Sequence, residues 1–175
     1  MQDCLAIIDV QNDFVDGALG TAEAQAMLPA LVERASSFDG KIACTQDTHG
    51  EDYLDTPEGR ALPIRHCIRG TKGWDLAPAV KEIALKAEAA IYEKPVFGSL
   101  RLAQDLTDAF KHGEIGSVEL CGLCTDICVI ANAVLIRTLC PELPVSVNSR
   151  CCAGVTPEKH KAALEVMASL QVRVI

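Results

Sequence analysis

Cysteine attacks as its thiolate, and a free thiol is mostly protonated near neutral pH. A helix N-terminus, a nearby cation and a nearby base each ease that barrier. In this sequence Cys128 follows Thr125-Asp126 at what reads as the first turn of a helix, where unpaired backbone N–H groups favour an anion. Lys94 is an available cation. Asp9 is an acid able to take the thiol proton and later pass it to a leaving amine. A second set has ligand chemistry: Asp47-Thr48-His49, then Glu58 and His66 in the same polar stretch. Carboxylate plus imidazole suits Zn, Mn or Fe. Taken singly, these residues have plainer readings as a turn acid, a solvated lysine, a buried thiol and polar loop residues. The case for a site rests on whether the chain brings them together.

The surrounding elements supply that case. Cys4 to Val10 is a nearly continuous apolar run with Asp9 near its end, as for a strand buried on both faces. Lys41–Thr45, Ala89–Lys94, Ser117–Gly122, Pro144–Asn148 and Gln171–Ile175 give five more strands. Helices are expected over Ala22–Ser36, Pro78–Leu85, from a Ser99 cap through Lys111, over Thr125–Thr138, and from a Thr156 cap with Pro157 first in the helix to Ser169. Such alternation without hairpin signals predicts a three-layer α/β/α fold around a six-stranded, mainly parallel sheet. Sites in such sheets lie beyond the carboxyl ends of the strands. Asp9, Asp47 and His49, Lys94, and Cys124 with Cys128 all fall at such ends. The long segment from Gln46 to Lys72 is expected to be functional.

The chain has 175 residues with 16 Lys+Arg and 24 Asp+Glu, a net charge of −8. That length suits one domain over residues 1–175. The acidic balance argues against nucleic-acid and anionic-membrane partners, which need Lys and Arg. Aromatics are only 4%, so the core must be aliphatic. No apolar run approaches a membrane span, and the start lacks the build of a signal peptide. A cytoplasmic location is expected, and with it nine reduced cysteines.

Three ordered motifs then become recognisable. Ala6-Ile7-Ile8-Asp9-Val10-Gln11-Asn12-Asp13-Phe14, Glu93-Lys94-Pro95-Val96-Phe97-Gly98-Ser99 and Gly122-Leu123-Cys124-Thr125-Asp126-Ile127-Cys128-Val129 resemble the isochorismatase-like cysteine hydrolases, above all the nicotinamidase branch. The resemblance implies a catalytic triad of Asp9, Lys94 and Cys128. It implies a cis peptide at Leu123–Cys124 and an oxyanion hole from the backbone N–H groups of Cys124 and Cys128. Asp47, His49 and a His66 that precedes Gly70-Thr71 resemble the metal site of that branch, with Glu58 as a further ligand and zinc as the expected ion (Mn or Fe as alternatives). The implied reaction is hydrolysis of a small amide, nicotinamide first, through a thioester. The implied assembly is a homo-oligomer. One departure concerns the substrate: Pro63-Ile64-Arg65 precedes His66 where some relatives carry a stacking aromatic, which leaves Phe14 as one substrate-binding wall.

Two other readings compete. Metal-free family chemistry would use an isochorismatase-type vinyl ether or another small amide. Alternatively, Cys121-Gly122-Leu123-Cys124 is a C-x-x-C that suggests thiol–disulfide exchange. That second reading leaves Asp9, Lys94 and the histidines without a role.

Overall fold

The computed structural model describes residues 1–175. Its first strand, β1 (Gln2–Ile8), is apolar along its inner half, and Leu5 to Ile8 are fully buried. After α1 (Asn12–Val15) and α2 (Ala22–Ser36) comes β2 (Gly40–Asp47), followed by α3 (Pro57–Ala61), α4 (Pro78–Lys86) and β3 (Ala90–Lys94). The second half adds α5 (Leu100–Lys111), β4 (Ile115–Leu123), α6 (Ile130–Leu139), β5 (Val145–Ala153), α7 (Pro157–Ser169) and β6 (Arg173–Val174). The six strands form one sheet in the order β3-β2-β1-β4-β5-β6, and every pair is parallel. The expected six-stranded parallel sheet is thus present, with no antiparallel strand in it. The strand order reverses between β1 and β4, so the crevice for a ligand opens beyond Ile8 and Leu123. No helix is long and apolar enough to cross a membrane.

Local chemistry explains most boundaries. The Thr21, Ser99 and Thr156 side chains each accept an N–H bond from the first turn of the helix they open. Strand β5 runs past the expected Asn148 because pairing with β4 jumps from Leu120↔Val147 to Gly122↔Cys152, and the bulge absorbs the polar Asn148-Ser149-Arg150. The final strand is shorter than expected: Arg173–Val174 form it, and Ile175 adds two backbone bonds to β5, from its N–H to the Val147 carbonyl and from the Ser149 N–H to its carbonyl. The polar stretch after β2 has structure of its own: a tight turn at Tyr53–Asp55 and then α3. The expected helix at Thr125 opens instead as a π-helical turn, Thr125–Val129, before α6 begins. In that turn the Cys124 carbonyl accepts from both Ile127 N and Val129 N.

On the face of the sheet covered by α2, one half-buried ion pair is fully satisfied. The Arg34 guanidinium donates to both oxygens of Glu119, at 3.0 and 2.6 Å, and Asn148 Nδ2 adds a bond at 3.0 Å.

Candidate active site and metal centre

Asp9 leaves β1 with a positive φ of 48° and is completely buried. The Thr45 hydroxyl on β2 donates to Asp9 Oδ1 at 2.6 Å, and the Asp9 N–H donates back to Thr45 Oγ1 at 3.1 Å. Lys94, the last residue of β3, places Nζ 2.6 Å from Asp9 Oδ2. That contact is an ion pair too oblique for a hydrogen bond, which leaves Oδ2 without a donor. The same Nζ donates to the Val96 carbonyl at 3.1 Å and lies 3.6 Å from Cys128 Sγ and 3.5 Å from Asp47 Oδ1. One buried ammonium therefore touches both groups of residues singled out above.

The electrostatics follow from burial and crowding. Burial pushes the Asp9 carboxyl above the usual carboxylate range although Lys94 opposes it, and the Asp47 charge adds to the rise. Burial disfavours the Lys94 ammonium, yet Asp9, Cys128 and Asp47 around it hold it well above an ordinary lysine. The Cys128 thiol departs from expectation. Burial above all, and then the Asp9 charge, push it well above a free thiol against the pull of Lys94. Lys94 cannot reverse this, because its charge is shared among three acidic neighbours. Burial thus favours the protonated form of the Cys128 thiol, with the Lys94 ammonium 3.6 Å from its sulfur.

The nucleophile turn has the expected backbone. Leu123–Cys124 is a cis peptide. The Cys124 N–H has no backbone acceptor, so it is free to face an oxyanion. Gly122 sits at φ +120°, where a Cβ would run into the Ile8 carbonyl, so only glycine lets β4 pass β1 there.

Next to Asp9, Lys94 and Cys128, the residues Asp47, His49 and His66 bring ligand atoms within 4.8 Å of one another, all buried. His49 Nε2 is 2.9 Å from Asp47 Oδ2, and His66 Nε2 is 3.6 Å from the same oxygen. With its proton on Nδ1, His66 donates to the Ile64 carbonyl at 2.8 Å, which turns the Nε2 lone pair inward. His49 Nε2 is buried with no well-formed hydrogen bond. Burial would raise the Asp47 carboxyl, but the two imidazoles and Lys94 hold it well below the usual range, as an anion. An anionic oxygen, an orphaned imidazole nitrogen and a second inward one suit a divalent transition ion. Glu58, on α3, reaches only to 3.8 Å from His49 Nε2 and stands at the edge of the cluster.

A cavity of about 260 Å³ joins the two halves. Cys124 and Cys128 line one wall, and Asp47, Glu58 and His66 another. Phe14, the expected aromatic wall, lies 5.6 Å from the His66 ring between centroids. Leu19, Thr21, Leu62, Phe97, Ile127 and Val155 complete the lining.

Sequence reading missed several contributors. Thr45 holds Asp9, and its place at the end of a strand beside β1 was the available signal. Phe97 and Ile127 lay inside the quoted motifs with no role given. Tyr53 packs against both imidazoles, 4.6 Å from His49 and 5.0 Å from His66, and nothing in the local sequence marks it. The C-x-x-C reading is disfavoured by placement, because Cys121 is fully buried within β4. Cys151 and Cys152 are likewise buried thiols within β5.

The chain as a whole is similar to known proteins. A family model described as Isochorismatase domain matches residues 3–175. The nicotinamidase/pyrazinamidase of Mycobacterium tuberculosis is 28% identical over 188 residues, covering 98% of this chain and 97% of its own. The crystal structure of a nicotinamidase/pyrazinamidase from Bacillus subtilis superposes with a TM-score of 0.86 at 27% identity, covering 99% of each chain. A pyrazinamidase of Pyrococcus horikoshii in complex with zinc superposes with a TM-score of 0.78 at 26% identity, over 100% of this chain and 99% of that one.

Proposed function

The chain belongs to the isochorismatase family, and from that premise we propose that it is a single-domain, metal-assisted cysteine amidohydrolase that converts nicotinamide, or a similarly small neutral amide, to its acid and ammonia. The observation that carries this reading is the position of Lys94, 2.6 Å from Asp9, 3.6 Å from Cys128 and 3.5 Å from Asp47. It ties an acid, a thiol and a ligand cluster into one site. The nicotinamidase and pyrazinamidase names of the relatives support the substrate class.

In this reading the amide carbonyl oxygen settles against the N–H groups of Cys124 and Cys128. Asp9 takes the Cys128 proton as sulfur bonds to the carbonyl carbon. It then gives that proton to the departing nitrogen, so the C–N bond breaks and ammonia leaves behind a thioester. Water next passes a proton to Asp9 as its oxygen attacks the thioester. The proton returns to Cys128 as the acid is released. Lys94 stays charged throughout and keeps Asp9 and the sulfur in register. Asp47, His49 and His66 would hold zinc or a similar ion, with Glu58 as an outer fourth ligand. When bound, that ion supplies a Lewis acid for a ring nitrogen or a water.

The cavity favours a neutral substrate over the dicarboxylate of isochorismatase-type chemistry. Its lining is mostly apolar, including Phe14, Leu19, Leu62, Phe97, Ile127 and Val155, its two acids Asp47 and Glu58 would face the ion, and the nearby cation Lys94 is already committed to acidic partners. The test is ammonia release from a panel of small amides, before chelation, after it, and after zinc is restored. Nicotinamide should be turned over, lose rate on chelation and recover with zinc. Full activity in metal-free protein would remove the metal from the reading. Turnover of a vinyl ether but of no amide would overturn the substrate class.

A further inference from the structure

We propose that Gln11 and Asp13, which follow Asp9 in the chain, form a template that sets the spacing of Asp47, His49 and His66. They are positioning residues for the ligand cluster. The inference rests on the reading that those three residues hold a metal.

Gln11 is completely buried, and its amide is used at both ends. Its Oε1 accepts from the Asp47 N–H at 2.7 Å. Its Nε2 donates to the Asp47 carbonyl at 2.9 Å and to the Trp74 carbonyl at 2.8 Å. Both backbone groups of the anionic ligand are thus held by one side chain 36 positions earlier in the chain. Burying an amide is costly unless its bonds are made, and here three are.

Asp13 does the equivalent work for the histidines. Its Oδ2 accepts from the Cys67 N–H at 2.7 Å, directly after His66. The Cys67 carbonyl accepts from the His49 N–H at 3.0 Å, and the His49 carbonyl accepts from Arg69 N at 2.9 Å. Cys67 itself is fully buried at a positive φ of 47°. The chain of bonds from Asp13 through Cys67 to His49 fixes the distance between the two imidazole-bearing segments. Asp13 is braced in turn: its N–H donates to the Gly73 carbonyl at 3.0 Å, and Gly73 packs so closely on its carboxylate that no Cβ fits. Asp9 and the template share one short segment, so the strand end that positions the base also registers the ligands against it. Groups that orient ligands from behind typically change metal affinity by about 10–100-fold when removed.

The experiment is zinc titration of the metal-free protein against a competing chelating dye. It compares wild type, His66→Ala, Gln11→Met, Asp13→Ala and Asp13→Asn, with affinity read per folded molecule by circular dichroism. Gln11→Met and Asp13→Ala should weaken zinc by about 10–100-fold. Asp13→Asn, whose amide oxygen can still accept from Cys67, should recover most of that loss. Glu119→Gln, far from the cluster, controls for lost stability and should bind zinc as wild type does. Wild-type affinity in Gln11→Met and Asp13→Ala, with binding lost in His66→Ala, would overturn the template alone. No zinc binding by wild type would overturn the metal reading and the template with it. Weakening in Glu119→Gln equal to that in the template variants would make the effect one of general stability and overturn the proposal.

Discussion

Asp9 and Glu119 are both buried carboxylates paired with a cation, on neighbouring strands of one sheet, yet they are tuned in opposite directions. Glu119 accepts two Arg34 bonds and one from Asn148, so the ionised form is satisfied and its carboxyl is held below the usual range although burial opposes this. Asp9 has a hydroxyl on one oxygen and an oblique ammonium beside the other, and burial drives it the opposite way. The difference lies in the deeper burial of Asp9, in the Asp47 charge near it and in how fully each charge is satisfied, not in the presence of a partner. A saturated carboxylate fixes structure. An undersatisfied one beside a thiol is ready to accept a proton.

The comparison is broken most sharply at the thiol. Cys128→Ala should cut ammonia release by at least about 10⁴-fold while leaving thermal unfolding close to wild type, because losing a nucleophile removes the whole two-step path. Cys124→Ala should retain much of the activity, since only its backbone N–H has a role. If the two variants trade places, the nucleophile is misassigned.

Glu119→Gln should do the reverse. It strands the Arg34 charge and should cost about 1–3 kcal/mol of stability, less than a wholly buried pair because the Arg34 side chain is 39% exposed. Turnover per folded molecule should not change. The sign with pH is fixed by the lowered carboxyl: its contribution is complete above the unfolded value of about 4.3 and is lost as pH falls below it. Denaturant unfolding of wild type should therefore weaken on acidification more than that of Glu119→Gln. Equal pH slopes would mean that this pair is not held as described.

Labelling of the thiol distinguishes base-assisted attack from a standing thiolate. Mass-spectrometric mapping after iodoacetamide should show Cys128 labelled slowly at neutral pH and faster as pH rises well past 8.5, the ordinary thiol value. A labelling rate already flat at pH 7 would mean that Lys94 does stabilise a thiolate, as the sequence suggested.

That case marks where sequence reading stops. Alternating apolar and helical segments disclosed five helices and the sheet, because burial periodicity and Thr or Ser caps are local signals. Motif order located Asp9, Lys94, Cys128 and the Asp47–His49 pair, since each lies in or beside a recognisable strand end. The sign of the thiol shift was hidden, because it depends on where the Lys94 charge is spent, which only packing decides. Tyr53 was hidden for a related reason: it reaches the imidazoles through a turn in the polar stretch, with its hydroxyl bonded to the Leu62 carbonyl at 2.9 Å. The bulge in β5 was also invisible, since Asn148-Ser149-Arg150 has the composition of a loop.

The smallest expected effect tests the tuning of Asp9 itself. To act as base the carboxyl must be ionised, so kcat/KM should fall as pH drops through its value in the free enzyme. Burial places that limb above the ordinary aspartate value of about 3.9. The Thr45 hydroxyl donates to the charged form and so pulls the value down. Thr45→Val keeps the shape and removes the donor. The charged carboxylate then loses support, the proton is held more tightly, and the acid limb moves to higher pH. The plateau rate should drop by about tenfold, the lower end of what one hydrogen bond to a charged group is worth. A limb that stays in place in Thr45→Val would mean that Thr45 does not tune Asp9. A limb that moves to lower pH would mean that Asp9 is not the group titrating.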